Sequence, residues 1–458
     1  MNPVDYQLDP GKSYQTFSYR KDKITRANIG WEGEAIKDGL STITLFVRNN
    51  DHAQLPNYTI SACTISAACP TGFRGTINNN HVSSLGLDAK HQQEFSFLSS
   101  RLIGGLYYDL SPNTYISNNL DVMRDPATLV YTGYAPNTTY ATGTRDYKTD
   151  IRNVALFAQW ELTPLDKVRV VMGGRYDTIN YGFVNYLTPG VDYGAANESR
   201  DFSRFSPKLG GTYTVSENIN VFANASQGFT PPEVSQLYGK SAIPDLRPAT
   251  YDSYEMGLRM SFMERALKLS ATLFELDGKD TIVSYTIAPG NSENRNAGST
   301  RSSGIEFSLS YDAGRLDGRV GASFARHQYI DYQASSTLDY SGKEMPVAPN
   351  TLTAEIGYKP IPDARFAFEV IKQSSYWMNN ANTVSYSGHT LLNMRGSYKI
   401  DTAWEGWIHG RNLTNQLYAE SASSSFSGVG TYDALRDQYT VGAPKSLMVG
   451  LTYTFSAK

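Results

Sequence analysis

The chain of 458 residues contains no run of about 18 apolar residues, so it encodes no membrane-crossing helix. It is poor in cysteine, with Cys63 and Cys69 alone, six positions apart in the loop-like stretch ACTISAACP. Two readings stay open there: a small disulfide-closed loop made in an oxidising compartment, or two free thiols. A metal site is disfavoured, because no second Cys/His pair lies nearby in sequence. Charge of one sign is also lacking. The 41 Lys and Arg nearly balance the 44 Asp and Glu, which argues against a nucleic-acid binder or a polybasic membrane-surface protein. The N-terminus, MNPVDYQLDPGKSY, has neither the basic region nor the apolar stretch of a signal peptide, as expected of a mature or truncated chain.

Catalytic signatures are missing too. The six histidines (His52, His81, His91, His327, His389 and His409) form no HExxH pair, and no GxSxG elbow or GxxxxGK[ST] loop occurs. Acids and bases are dispersed at strand spacing, which suits a polar lumen better than a positioned carboxylate pair. The chain reads as a non-enzyme with no cofactor. The sequons Asn57-Tyr-Thr59 and Asn137-Thr-Thr139 are short enough to arise by chance.

What is present is β composition and alternation. There are 32 Tyr, 19 Phe and 38 Gly, and mean hydropathy is only -0.40. That low average is compatible with a barrel whose strands each turn one face to water. In Ser446–Phe455 (SLMVGLTYTF), Leu447, Val449, Leu451, Tyr453 and Phe455 share one face, while Met448, Gly450, Thr452 and Thr454 share the other. The same alternation sets Leu267, Leu269, Ala271 and Leu273 against Lys268, Ser270 and Thr272, and Ile305, Phe307, Leu309 and Tyr311 against Glu306, Ser308 and Ser310. About 13 such strands run from Arg152 to Phe455. Less regular candidates at Thr25–Trp31, Thr42–Val47, Leu85–Lys90 and Ile103–Leu110 bring the total to about 17.

The connections alternate between short and long. Short ones are 163–166, 216–218, 263–265, 312–317, 359–363 and 401–403. Long ones cover roughly 178–203, 228–249, 277–300, 327–349, 373–387 and 413–445, with two more near 49–80 and 111–149. The pattern predicts an all-β fold, a transmembrane antiparallel β-barrel of about 16–18 strands with short periplasmic turns and long extracellular loops. A porin-like passive channel would share this pattern. A soluble propeller would show an internal repeat of roughly 40–50 residues, and none is visible.

Four segments carry a resemblance. GFTPPEVSQLYG (Gly228–Gly239), LRPATYDSYEMGLR (Leu246–Arg259), RNLTNQLYAES (Arg411–Ser421) and VGAPKSLMVGLTYTF (Val441–Phe455) together resemble the C-terminal barrel of TonB-dependent outer-membrane receptors. NAGSTRSSGIEFSLSY (Asn296–Tyr311) is similar to a further family strand. Departures are Ala249 for the usual Glu, Lys445 for the usual Arg, and Ser456–Lys458 after the terminal aromatic, which puts efficient membrane insertion in doubt.

The resemblance implies a 22-strand barrel, of which residues 1–458 supply a part without the plug domain and the first strands. It implies outer-membrane lipid as surroundings and uptake of a ferric siderophore or similar large, scarce ligand, with heme, cobalamin and saccharides as other family substrates. The TonB energy-coupling complex would be a partner only in a plug-bearing form, so this chain alone is not expected to drive uptake against a gradient. Ligand candidates are loop residues: Arg295, Arg301, Tyr329, Tyr332, Tyr376, Trp377 and Arg436. Ferric siderophores are often anionic and partly aromatic, which would suit charge-assisted bonds from Arg and rigid contacts from Tyr and Trp.

Overall fold

A computed structural model describes residues 1–55, 60–141, 144–288 and 291–455. The sequon at Asn57 and the tail Ser456–Lys458 lie outside the described residues. Among those described, one antiparallel sheet holds nineteen strands. Two are short ribbons, Ser61–Ala62 and Tyr131–Pro136. The other seventeen follow one another as a meander. They are Tyr19–Gly33, Gly39–Leu55, Phe73–Phe95, Ser100–Arg124, Arg145–Leu165 and Val168–Asn185. Next come Glu198–Ser216, Ile219–Thr230, Ala249–Phe262, Leu267–Ala288, Asn291–Ala313 and Leu316–Tyr332. The last five are Asn350–Ile361, Ala364–Gln373, His389–Lys399, Trp404–Arg411 and Ser446–Tyr453.

Register turns the sequence alternation into two faces. Leu269 pairs with Met260 and Leu309, and Leu309 with Val320, so apolar side chains fall on one side across four strands. That side stays uncovered by protein: Leu273, Ile356, Val449 and Leu451 are all more than half exposed. Lipid is the environment in which so continuous an apolar surface is stable. Near the short turns the same face carries Trp160, Tyr213, Tyr311, Tyr358, Tyr398, Trp404 and Tyr453, with Trp404 and Tyr453 4.8 Å apart. Amphipathic rings of this kind favour the membrane–water boundary.

The opposite face is polar and pairs with itself. Glu355, 7 % exposed, accepts from Arg319 at 3.1 Å and from Arg365 at 2.8 Å, and Arg395 lies 3.7 Å away. Arg365 also bonds Asp317, so charges alternate across four strands above the short turns. A buried carboxylate is tolerable there because each of its lone-pair directions has a cationic partner.

The connections sort to two rims as the spacing predicts, but the strands run further. The stretch 277–300, expected to be a loop, is two strand arms instead: Leu267–Ala288 and Asn291–Ala313 pair from Leu267 with Tyr311 up to Ala288 with Asn291. Above the lipid both faces meet water, so alternation fades while the backbone ladder continues. The same cause lengthens the early candidates. Ile103–Leu110, for example, is the middle of Ser100–Arg124.

Every ladder in the meander is antiparallel. The outermost strands, Tyr19–Gly33 and Ser446–Tyr453, each pair on one side alone among the described residues. Both run from the long-loop rim towards the short-turn rim, since their number in the meander is odd. A direct join between them would be parallel, and antiparallel closure needs an odd number of strands in between. In lipid, backbone groups left without partners at such a seam cost several kcal/mol each.

Candidate functional site at the long-loop rim

Three clusters of side chains build the long-loop rim. The first comes from GFTPPEVSQLYG. Pro231 and Pro232 end the strand Ile219–Thr230, and a short helix, Val234–Tyr238, follows. Glu233 and Gln236 form its capping box. The helix folds inward: Leu237 is fully buried, and Tyr238 stacks on Phe183 at 4.2 Å. Its floor is Ile179, Tyr181, Phe183 and Phe202, apolar residues on the otherwise polar face. The Tyr181 hydroxyl donates to the Pro232 carbonyl at 3.2 Å. Burial pushes the Tyr238 phenol up to about 12.

The second cluster joins 374–388 to the hairpin Ala419–Ser424/Asp437–Val441. The Tyr376 hydroxyl donates to the Ala422 carbonyl at 3.1 Å and accepts from the Ala422 amide at 2.7 Å. The Tyr386 hydroxyl accepts from the Ala419 amide at 3.0 Å. Residues 1–18 also lie at this rim. Tyr6 stacks on Tyr439 at 4.5 Å, and the Tyr131 amide donates to the Tyr14 carbonyl at 2.7 Å. That segment thus reaches from the last long connection to the one at 125–144.

The third cluster is Tyr329, Tyr332 and Tyr340, with successive ring centroids 4.8 and 5.4 Å apart. Tyr329 donates to Asn380 at 3.0 Å, and Tyr340 to the Ser427 carbonyl at 3.0 Å. A hollow of about 370 Å³ lies on the polar face, lined by Asn393, His409, Arg411, Asn412, Tyr418 and Glu420 among others.

The seven candidates separate when placed on this frame. Tyr329 and Tyr332 meet in the third cluster. Trp377 is half-buried beside it and donates to Glu344 at 3.1 Å. Tyr376 is 9 % exposed, with its phenol committed to the hairpin backbone, so its place is structural. Arg295 bonds Glu293 and lies over the Tyr285 ring at 3.8 Å. Arg436 is exposed in the turn Ala434–Arg436. Arg301 is a correction. It pairs with Asp277 in register and shares the strand face of Ile305 and Leu309, so it stands on the outer side of the sheet, above the lipid, and not over the mouth. Strand parity decided this, and the misread loop at 277–300 had hidden it.

Sequence reasoning missed the inward helix, although Ile179, Tyr181 and Phe183 gave a signal: three apolar side chains at positions whose parity demanded polar ones. It also missed Arg145, which donates to the carbonyls of Thr144, Asp192 and Gly239 at 2.7, 2.6 and 2.8 Å and so ties three connections together. Cys63 and Cys69 are bonded to each other, and the loop they close is held by the Asn137 side chain, which donates to the Ala68 carbonyl at 2.9 Å.

An antiparallel wall with one lipid-facing side, one polar side and elaborate connections at one rim defines a membrane β-barrel of the receptor type. A family profile described as "TonB dependent receptor-like, beta-barrel" matches residues 2–454, and the chain belongs to this family, one of receptors and transporters rather than enzymes. Among curated proteins, the ferric-pyoverdine M114 receptor PbuA of Pseudomonas sp. strain M114 is 22 % identical over 228 residues, 48 % of this chain and 27 % of that one. The metal-pseudopaline receptor CntO of Pseudomonas aeruginosa is 22 % identical over 41 % of this chain and 25 % of its own length. Among solved structures, the unliganded ferric citrate transporter FecA has a TM-score of 0.75 at 18 % identity, covering 99 % of this chain and 64 % of that one. The siderophore receptor PiuA of Acinetobacter baumannii gives 0.72 at 13 %, covering 95 % and 65 %. The match thus spans about a quarter of the curated relatives and under two thirds of these structures.

Proposed function

We propose that this chain forms barrel wall of an outer-membrane receptor for TonB-dependent uptake of a ferric siderophore or a similar large, scarce ligand. The observation that carries this reading is the difference between the rims. One has minimal turns, and the other has connections with small cores of their own, as a wall presenting a built binding surface requires. Family membership and the named specificities of the relatives, pyoverdine and pseudopaline complexes, favour a metal chelate over a passive solute. Tyr329, Tyr332 and Trp377 would supply rigid contacts with the ligand, and the TonB complex would act on a plug-bearing form.

Titration of the purified chain in detergent with ferric chelates tests this, followed by quenching of tryptophan fluorescence. Saturable quenching that weakens when Trp377→Phe and Tyr332→Ala are combined is the expected result. No saturable binding, together with steady conductance in a planar bilayer, would favour a passive channel instead.

A further inference from the structure

Charge at the mouth points away from the anionic ligand that loop arginines first suggested. The connections at the long-loop rim are 56–72, 125–144, 186–197, 231–248, 289–290, 333–349, 374–388 and 412–445. Together with residues 1–18 they carry eleven Asp and Glu but six Lys and Arg. The connections therefore carry more than the whole negative excess of the chain, and loops so charged disfavour polyanions.

Five arginines at this rim are also committed, while Arg436 stays exposed. Arg145 is bonded to three backbone carbonyls. Arg200 donates to the Pro244 carbonyl at 2.9 Å and to Glu198 at 3.1 Å. Arg247 is 3.0 Å from Asp280, and Arg295 is held by Glu293. Arg124 donates to the Leu129 carbonyl at 3.0 Å and lies over the rings of Phe73 and Tyr131. Recruiting any of them to an anion would first break these bonds.

Just inside the mouth, on the polar face, neighbouring strands present Asn78, Asn80, Asn113, Tyr115, Tyr147 and Thr149, none of them charged. The side-chain oxygens of Asn78, Asn80, Asn113 and Thr149 have no hydrogen-bond partner in the structure, and Asn78 is 6 % exposed. These oxygens are buried, so a ligand meets them only after a side-chain rotation; as acceptors they then suit hydroxyl and amide donors rather than carboxylates or catecholates.

We infer that the ligand of this receptor is a metal chelate without net negative charge, held through phenols and side-chain amides. This rests on the metal-chelate reading above and narrows it.

The test uses three ferric complexes of similar size with the detergent-solubilised chain: a neutral tris-hydroxamate, the same chelate bearing an appended ammonium, and a trianionic tris-catecholate. In 10 mM salt, where screening is weak, the neutral and ammonium complexes should bind at least about tenfold tighter than the trianion. The gap should narrow in 150 mM salt. Neutralising Asp339→Asn, Asp245→Asn and Asp433→Asn together should raise affinity for the trianion about threefold and leave the neutral complex unchanged. A trianion that binds as tightly as the neutral complex, or tighter, overturns the charge inference and leaves the metal-chelate reading standing. Binding of none of the three overturns both.

Discussion

Between its rims the molecule is held by repetition, and at the long-loop rim it is held by individual contacts. In the wall, each strand contributes a ladder to its neighbours and an apolar side to lipid, so no single rung is decisive. At the rim, single residues close separate units. Leu237 seals the inward helix, Tyr376 fixes the hairpin at Ala422, and Arg145 joins three connections. A periodic sequence can specify the first kind of order through composition and alternation alone. The second kind needs particular partners distant in sequence, which is why its loss should stay local.

The comparison can be broken most strongly in the wall. Leu273→Arg, on the lipid-facing side well away from the aromatic boundary at Tyr311, should cost about 2–4 kcal/mol in unfolding from bilayers. The adjacent Thr272→Arg, on the polar side, should stay within about 0.5 kcal/mol. Equal losses for the two would mean that the faces are assigned wrongly.

A smaller and more confined effect is expected at the rim. Tyr376→Phe strips the buried Ala422 amide and carbonyl of their partner, at about 1–3 kcal/mol. Hydrogen exchange should then rise in 419–441 while amides of Ala364–Gln373 keep their protection. Spread of the effect into the wall would blur the distinction between the regions.

The finest test is a titration at the rim. The bond from Tyr432 to the Asp437 carboxylate pushes its phenol up to about 12. A raised phenol favours the folded rim fully below its ordinary value near 10, and that contribution disappears as pH climbs through about 12. Asp437→Asn should return the phenolate absorbance midpoint of Tyr432 towards 10, measured as a difference against Tyr432→Phe. An unmoved midpoint would remove that bond.

Much of this architecture was legible in the chain. The apolar partners of Leu269 and Leu309, the short turns and the number of wall strands all follow from period-2 alternation, because lipid and water impose opposite demands on adjacent side chains. Where both faces meet water that demand disappears, and the arms at 277–300 read as loop. Placement of Arg301 failed for the same reason: its side of the sheet depends on parity carried through a ladder the sequence did not reveal. The four family-like segments were visible as motifs, yet nothing in GFTPPEVSQLYG indicated that its helix turns inward.

By itself, then, the sequence determined that these strands form a membrane wall and which side of most of them faces lipid, since alternation is a local property of neighbouring residues. Only the tertiary structure decided which mouth arginines are already engaged, which tyrosines are structural, and that the two outermost strands run the same way. Those outcomes depend on partners tens to hundreds of residues apart, brought together by register and loop packing rather than by any local pattern.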